Sequence, residues 1–280
     1  MTPSTTSRPA GSAAAPEPSP VPVCAVIADI VGSRRLEDRA AAQRTFLEVL
    51  ENAGEGLDLL EPARATVGDE FQAVAPDLGA ALDLTLRVSL LLPDGLRLRF
   101  GLGIGEVREV DPDAEDVVQD GSAWWAAREA INAAHDLQDS GRDFALTQLR
   151  VAGGADPAGS RESRPSDSDA SQRSADGAPA VPTSPRSQDL TNAMLLLRDQ
   201  AVSRLQARQR RVLGALLLGR TQVDVAREER LSQQAVSALA RGAGAGILAA
   251  QELLGAVDGG ASADRRRAPS DSDADAATDH

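Results

Sequence analysis

The chain has 280 residues, of which 42% are hydrophobic and 2% aromatic, and its formal net charge is −13. That length allows one or two domains, and the acidic balance excludes a protein that coats nucleic acid indiscriminately, because attraction to phosphate needs a cationic face. A single cysteine, Cys24, excludes an intramolecular disulfide framework and suits a reducing compartment.

Three stretches are too poor in apolar residues to offset the entropy of ordering a chain. They are residues 1–22, the Ser, Asp, Pro and Gly-rich segment 151–188, and the acidic tail 256–280, and all three are expected to be disordered. Two foldable modules remain, 23–150 and 189–255. The first carries 12 Arg against 24 Asp and Glu, and the second 9 Arg against 6 acids, so the second is mildly basic. Neither an apolar leader nor a run long enough to span a membrane occurs, and a cytoplasmic location is expected.

In chain order, VPVCAVIAD is a Val/Ile-rich run suited to a strand buried on both faces. EDRAAAQRTFLEVLENAGEG places Phe46, Leu47, Leu50 and Ala53 at helical spacing and ends at Gly54. ARATV and FQAVA are strand-like pieces on either side of Gly68, Asp69 and Glu70, a hairpin signal. PDLGAALDLTLRVSLLL is a second helix with Pro76 near its start. LRLRFGLGIGEV sets Leu96, Leu98 and Phe100 against Arg97 and Arg99, a strand with unlike faces. GSAWWAAREAINAAHDLQ is a third helix, and DFALTQLRV adds an edge strand.

The order β-α-β-β-α-β followed by a helix predicts an α+β, ferredoxin-like fold. That topology brings the end of the first strand beside the hairpin, so Asp29 and Asp69 should face each other. Two carboxylates next to a turn with free amides, IVGSR, suit a hard cation that holds a phosphate-bearing ligand. The plainer reading makes Asp29 a turn cap and Asp69 and Glu70 solvated hairpin acids. Glycines in GLGIGE are read as marks of close backbone packing. Trp124 and Trp125 are expected to be one core and one half-exposed residue, with base stacking as the alternative. His135 and His280 are too isolated to form a metal pair.

The strings ADIVGSR, VGDEFQAV, LRFGLGIGEV and GSAWWAAREA resemble, in order and spacing, the catalytic domains of class III nucleotidyl cyclases. That resemblance implies a nucleotidyl cyclase-like fold and metal ions, Mg²⁺ or Mn²⁺ with a nucleotide, on Asp29 and Asp69; Glu70, by its place in the hairpin, is a candidate third ligand or else points to water. It also implies phosphate on the turn Ile30, Val31, Gly32 and Ser33, and Arg128 as the candidate catalytic cation. The cyclase Asn four residues before that Arg is here Trp124, whose indole cannot donate and accept as a carboxamide does. The same strings resemble, more closely, the SatD family of bacterial proteins, in which a comparable domain precedes a helix-turn-helix. That resemblance spans both modules and implies a regulator.

In the second module, LTNAMLLLRDQAVSRL and QARQRRVLGALLLGR read as helices, followed by TQVDVAREER and LSQQAVSALARGA as a helix-turn-helix, an all-α DNA-binding domain. Val225, Ala226, Leu231, Val236 and Leu239 should form its core, with Ser232 as cap. TQVDVA and LSQQAVS resemble the C-terminal region of sigma factors. Glu229 and Arg230 replace the usual apolar residue and Gly, so a longer turn is expected. Ser232, Gln233, Gln234, Ser237 and Arg241 are the candidate base-reading residues, and Arg208, Arg210, Arg211 and Arg220 the candidate phosphate contacts. A helical dimerisation bundle is the alternative.

The sequence thus reads as a DNA-binding regulator whose first domain senses a metal and nucleotide, acting as a homodimer. The alternative is a cyclase or other metal-dependent phosphoryl-transfer enzyme with a DNA-binding appendage. The segment 151–188 reads as a flexible linker that makes rigid coupling between the modules unexpected.

Overall fold

A computed structural model of the chain describes residues 21–66, 68–109, 119–153 and 185–253. The expected disordered segments lie outside these residues, except for their margins at 21–22, 151–153 and 185–188.

Residues Val23–Ile30 form β1, and Arg39–Gly54 form α1, opened by the Asp38 carboxylate accepting from the Ala41 amide at 2.8 Å. The hairpin strands are β2, Glu61–Ala65, and β3, Glu70–Ala75. Helix α2, Leu78–Leu91, is capped by Asp77 rather than started by Pro76, because the Asp77 side chain accepts from the Ala80 amide. Strand β4 is Leu98–Gly105. A short hairpin not foreseen from sequence, β5 Arg108–Glu109 and β6 Gln119–Asp120, leads into α3, Ser122–Asp139, and β7, Thr147–Val151, follows.

The main sheet has the order β2-β3-β1-β4-β7. Its first four strands are antiparallel neighbours, which is the interleaving of two split β-α-β units, and β7 adds in parallel to β4. Alternation along each strand separates two faces. Val26, Ala28, Phe71, Ala73, Phe100 and Leu102 pack with α1 and α2 in the larger core. Ala25 and Ile27 lie on the other face under Ala123, Ala127 and Ile131 of α3.

Glycine allows α3 to lie directly on β4. A Cβ on Gly103 would sit 2.0 Å from the Ala123 carbonyl oxygen and 2.2 Å from the Ala127 nitrogen, and one on Gly101 would sit 2.2 Å from the Ala127 oxygen. The GLGIGE string is therefore a packing surface, as close backbone approach predicts.

The last helices are α4, Pro185–Ser203; α5, Ala207–Leu217; α6, Gln222–Glu228; and α7, Gln233–Arg241; a further helical run covers 245–253. Helix α4 begins inside the segment read as linker, and its partners are in the sheet domain. Along the free edge of β7 it supplies what a sixth strand would. The Val151 amide donates to Gln188 Oε1 at 2.9 Å, the Leu149 amide to Asn192 Oδ1 at 2.8 Å, and the Leu146 and Thr147 amides to Asp199 Oδ2 at 2.9 and 2.7 Å. Asn192 Nδ2 returns a bond to the Leu149 carbonyl. An exposed edge invites pairing with another chain, and a helix carrying amide and carboxylate side chains closes it.

Arg198 is buried beside Asp199 and donates to the Leu82 carbonyl and to the Thr85 and Thr147 hydroxyls. Burial pushes the Asp199 carboxyl up, while Arg198 and the β7 amides pull it down. Leu86 and Leu90 of α2 then join Val202, Leu205, Leu213 and Ile247 in a second core. Gln251 Nε2 donates to Asp83 Oδ1 of α2 at 2.7 Å. The helices following the expected linker are thus seated on the sheet domain, so freedom in that segment does not leave the two parts uncoupled. No described helix is long and apolar enough to cross a membrane.

Candidate functional site

The register places Asp29 of β1 between Glu70 of β3 and Arg99 of β4, all on the face that carries α3. Arg99 is nearly buried, and its Nη1 donates to both Asp29 oxygens at 2.8 and 3.1 Å while Nε donates to Gln138 Oε1 of α3 at 2.7 Å. Burial pushes the Asp29 carboxyl above the usual aspartate value. Arg99 and His135 pull it down, and the nearby charge of Asp69 pushes it further up. Asp29 pairs in register with Glu70, the residue after Asp69, so the two aspartates lie at the same end of neighbouring strands.

Glu70 has a different partner. Arg128 of α3 holds it bidentately, Nη1 to Oε2 at 2.6 Å and Nη2 to Oε1 at 2.8 Å, and Gln72 Nε2 adds a bond at 3.0 Å. The Glu70 hydrogen bond and charge raise the Arg128 pKa. Among the described residues no group of three or more His, Cys, Asp or Glu side chains is placed to hold a metal. Asp29 and Asp69 are the carboxylates that could hold a Mg²⁺, Asp29 only on releasing Arg99, whose Nη1 engages both its oxygens. Glu70 does not fit as a third ligand while Arg128 engages both its oxygens.

The turn after β1 is partly committed. Val31 donates its amide to the Arg97 carbonyl, and the Ile30 side chain is in the α1/α2 core. Gly32 sits at φ 71 under the Arg35 guanidinium, and a 3₁₀ turn covers Ser33–Arg35. The amides of Gly32 and Ser33 meet no backbone acceptor among the described residues.

Beside α3, where the sheet face over β2 and β3 is not covered, lies an open groove of about 240 Å³. Ile27 and Gln72 line it from β1 and β3, Arg64 from β2, Asp120 from β6, and Trp124, Trp125 and Arg128 from α3. Trp125 is 69% exposed, whereas Trp124 packs partly into the small core under α3. Sequence reasoning missed Arg64, Arg99, Gln72 and Gln138, since only strand register puts them beside Asp29 and Glu70. Alternation of Arg97 and Arg99 with leucine was the one available signal.

In the helical part, Val212, Val225, Ala226 and Val236 are buried together, with Leu231 and Leu239 packed against them. Ser232 caps α7 through the Ala235 amide. The turn is not lengthened: Arg230 itself takes φ 54, and the Leu231 amide donates back to the Ala226 carbonyl at 2.8 Å. Gln233, Gln234 and Arg241 are exposed, and Ser237 is half-buried. Arg208 is exposed, but the other candidate phosphate contacts have acidic partners. Arg211 pairs bidentately with Glu229 at 2.8 Å, lowering the Glu229 pKa, Arg220 pairs with Glu228, and Arg210 pairs with Asp94.

A mixed α/β domain with an acid-bearing site on its α3 face is the class that this architecture defines. Residues 23–151 match the model of the SatD family. No curated protein matches the chain. Among solved structures, adenylate cyclases from Trypanosoma brucei in their monomeric state align at 17% identity with a TM-score of 0.31. The alignment covers 38% of this chain and 65% of that one, so the chain spans less than two thirds of that neighbour's length.

Proposed function

We propose that the chain is a DNA-binding regulator whose SatD-like domain holds a divalent cation and a nucleotide. The observation that carries the DNA half is the surface of α7. Among its residues only Val236 is fully buried, and Gln233 and Gln234 are exposed at its start and Arg241 at its end, where Arg241 Nε donates to the Ser237 carbonyl at 3.4 Å. Gln can read adenine bidentately in the major groove, and Arg can read guanine or hold phosphate. Arg220 would exchange its exposed partner Glu228, a pair worth about 0–1 kcal/mol, for phosphate, and Arg211 would have to leave the partly covered Glu229.

The other half rests on Asp29 and Asp69, the motif resemblance to cyclases, and the amides of Gly32 and Ser33. Asp69, and Asp29 on release from Arg99, would hold the cation, which would supply positive charge for phosphate. Turnover is disfavoured because Arg128 is spent on Glu70 and would have to release it to reach a phosphoryl group. Seating α5 against α2 gives ligand occupancy a physical route to the DNA-facing helices.

The test is selection of duplexes from a random library by the full chain, followed by polarisation titrations over a range of salt. Wild type should enrich a sequence and bind it with an affinity that falls as salt rises. Gln233→Ala with Gln234→Ala should lose about 1–3 kcal/mol of discrimination per base pair read. Failure to enrich any sequence, or unchanged discrimination in the double variant, removes the DNA-binding assignment.

A further inference from the structure

The only two tryptophans of this chain, which has no tyrosine, are consecutive residues at the start of α3, and both line the same groove. A soluble domain gains by burying indole, yet Trp125 stays 69% exposed. Trp124 Nε1 is out of reach of water and has no hydrogen-bond acceptor among the described residues. Buried donors of this kind are rare and call for a partner. On the opposite wall Arg64 is half exposed, and the ion pair it makes among the described residues, to Glu61 at 3.9 Å, is too long for a hydrogen bond. Gln72 spends its Nε2 on Glu70, which leaves its Oε1 open to a donor in the groove.

Arg128 joins this groove to the carboxylate site, since it lines the groove and also holds Glu70, the strand neighbour of Asp29. A ligand that reaches both ends needs a flat polar ring at one and a cation-binding anion at the other. We infer that the groove takes the base of a nucleoside polyphosphate, with the ring between the Trp125 indole and the Arg64 guanidinium and the phosphates directed toward Asp29 and Asp69. Stacking on an indole tolerates any base, and Gln72 Oε1 favours one that presents an amino group. The inference rests on the nucleotide half of the function proposed above and assigns its recognition surface.

Because both indoles line this groove, tryptophan emission of the full chain reports on it directly. ATP, GTP, CTP and UTP are titrated with Mg²⁺, following emission and thermal stability in parallel, on wild type, Trp125→Leu, Arg64→Ala and Asp69→Asn. At least one nucleotide should quench emission saturably and raise the melting temperature. Trp125→Leu and Arg64→Ala should each weaken that binding about tenfold or more, and Asp69→Asn should abolish its Mg²⁺ dependence. Stabilisation by a nucleotide with equal affinity in wild type, Trp125→Leu and Arg64→Ala would overturn the groove assignment and leave the carboxylate site standing. Neither quenching nor stabilisation by any of the four would overturn both, with the DNA-binding assignment tested separately by duplex selection.

Discussion

Asp199→Ala is expected to lower the unfolding free energy of the full chain by about 3–5 kcal/mol, the cost of removing one partner from a buried ion pair. Three donors lose their acceptor: the Leu146 and Thr147 amides and the Thr147 hydroxyl. Arg198, 7% exposed, loses its neighbouring charge. Urea denaturation measures the change, with Asp189→Ala on the exposed side of the same helix as the control, expected within about 0.5 kcal/mol of wild type. A loss below 1 kcal/mol would mean that α4 rests on the sheet without completing it. The same reasoning makes a fragment ending at 153 prone to pair through β7, because the amides of Leu149 and Val151 lose Asn192 and Gln188. Ligand measurements therefore belong on the full chain, although the family match stops at residue 151.

Gly103→Ala should be the most damaging single methyl addition in the sheet. The new carbon would lie 2.0 Å from one main-chain atom of α3 and 2.2 Å from another, neither of which can rotate away as a side chain can. Either α3 lifts or β4 shifts, and the cost should reach or exceed the upper end of the about 1–3 kcal/mol usual for overpacking. Gly246→Ala, with nothing within 4 Å of its added carbon, is the matched control and should be neutral or mildly stabilising. Both tryptophans, Arg128 and Gln138 ride on α3, so the Gly103 variant should also shift tryptophan emission and weaken nucleotide binding. Unchanged emission together with near-wild-type stability would contradict the contact. Activity alone would be a poor readout, since misplacing the helix moves every α3 residue of the site at once.

The strand and helix pattern was legible because it is local. Val and Ile runs, Ser232 as a cap, and the alternation through Phe100 each depend on neighbours within a few residues. The placing of Asp29 beside the β2–β3 hairpin was legible as well, since the split β-α-β order leaves that corner few alternatives. The short hairpin β5–β6 gave no signal, as two-residue strands have no period to detect.

Sequence by itself determined the apolar periodicities, the acid-bearing turns, the glycine stripe and the SatD-like motifs, all of which are properties of composition and spacing along the chain. Only the tertiary structure decided the partners. It gave Glu70 to Arg128 and Asp29 to Arg99, and it made α4, which the sequence assigns to the second module, the cover of β7. These ion pairs and the edge closure depend on distances between residues tens of positions apart, from Val151 and Gln188 at a separation of 37 to Asp29 and Arg99 at 70. A pattern with a period of two or 3.6 residues carries no information at that range.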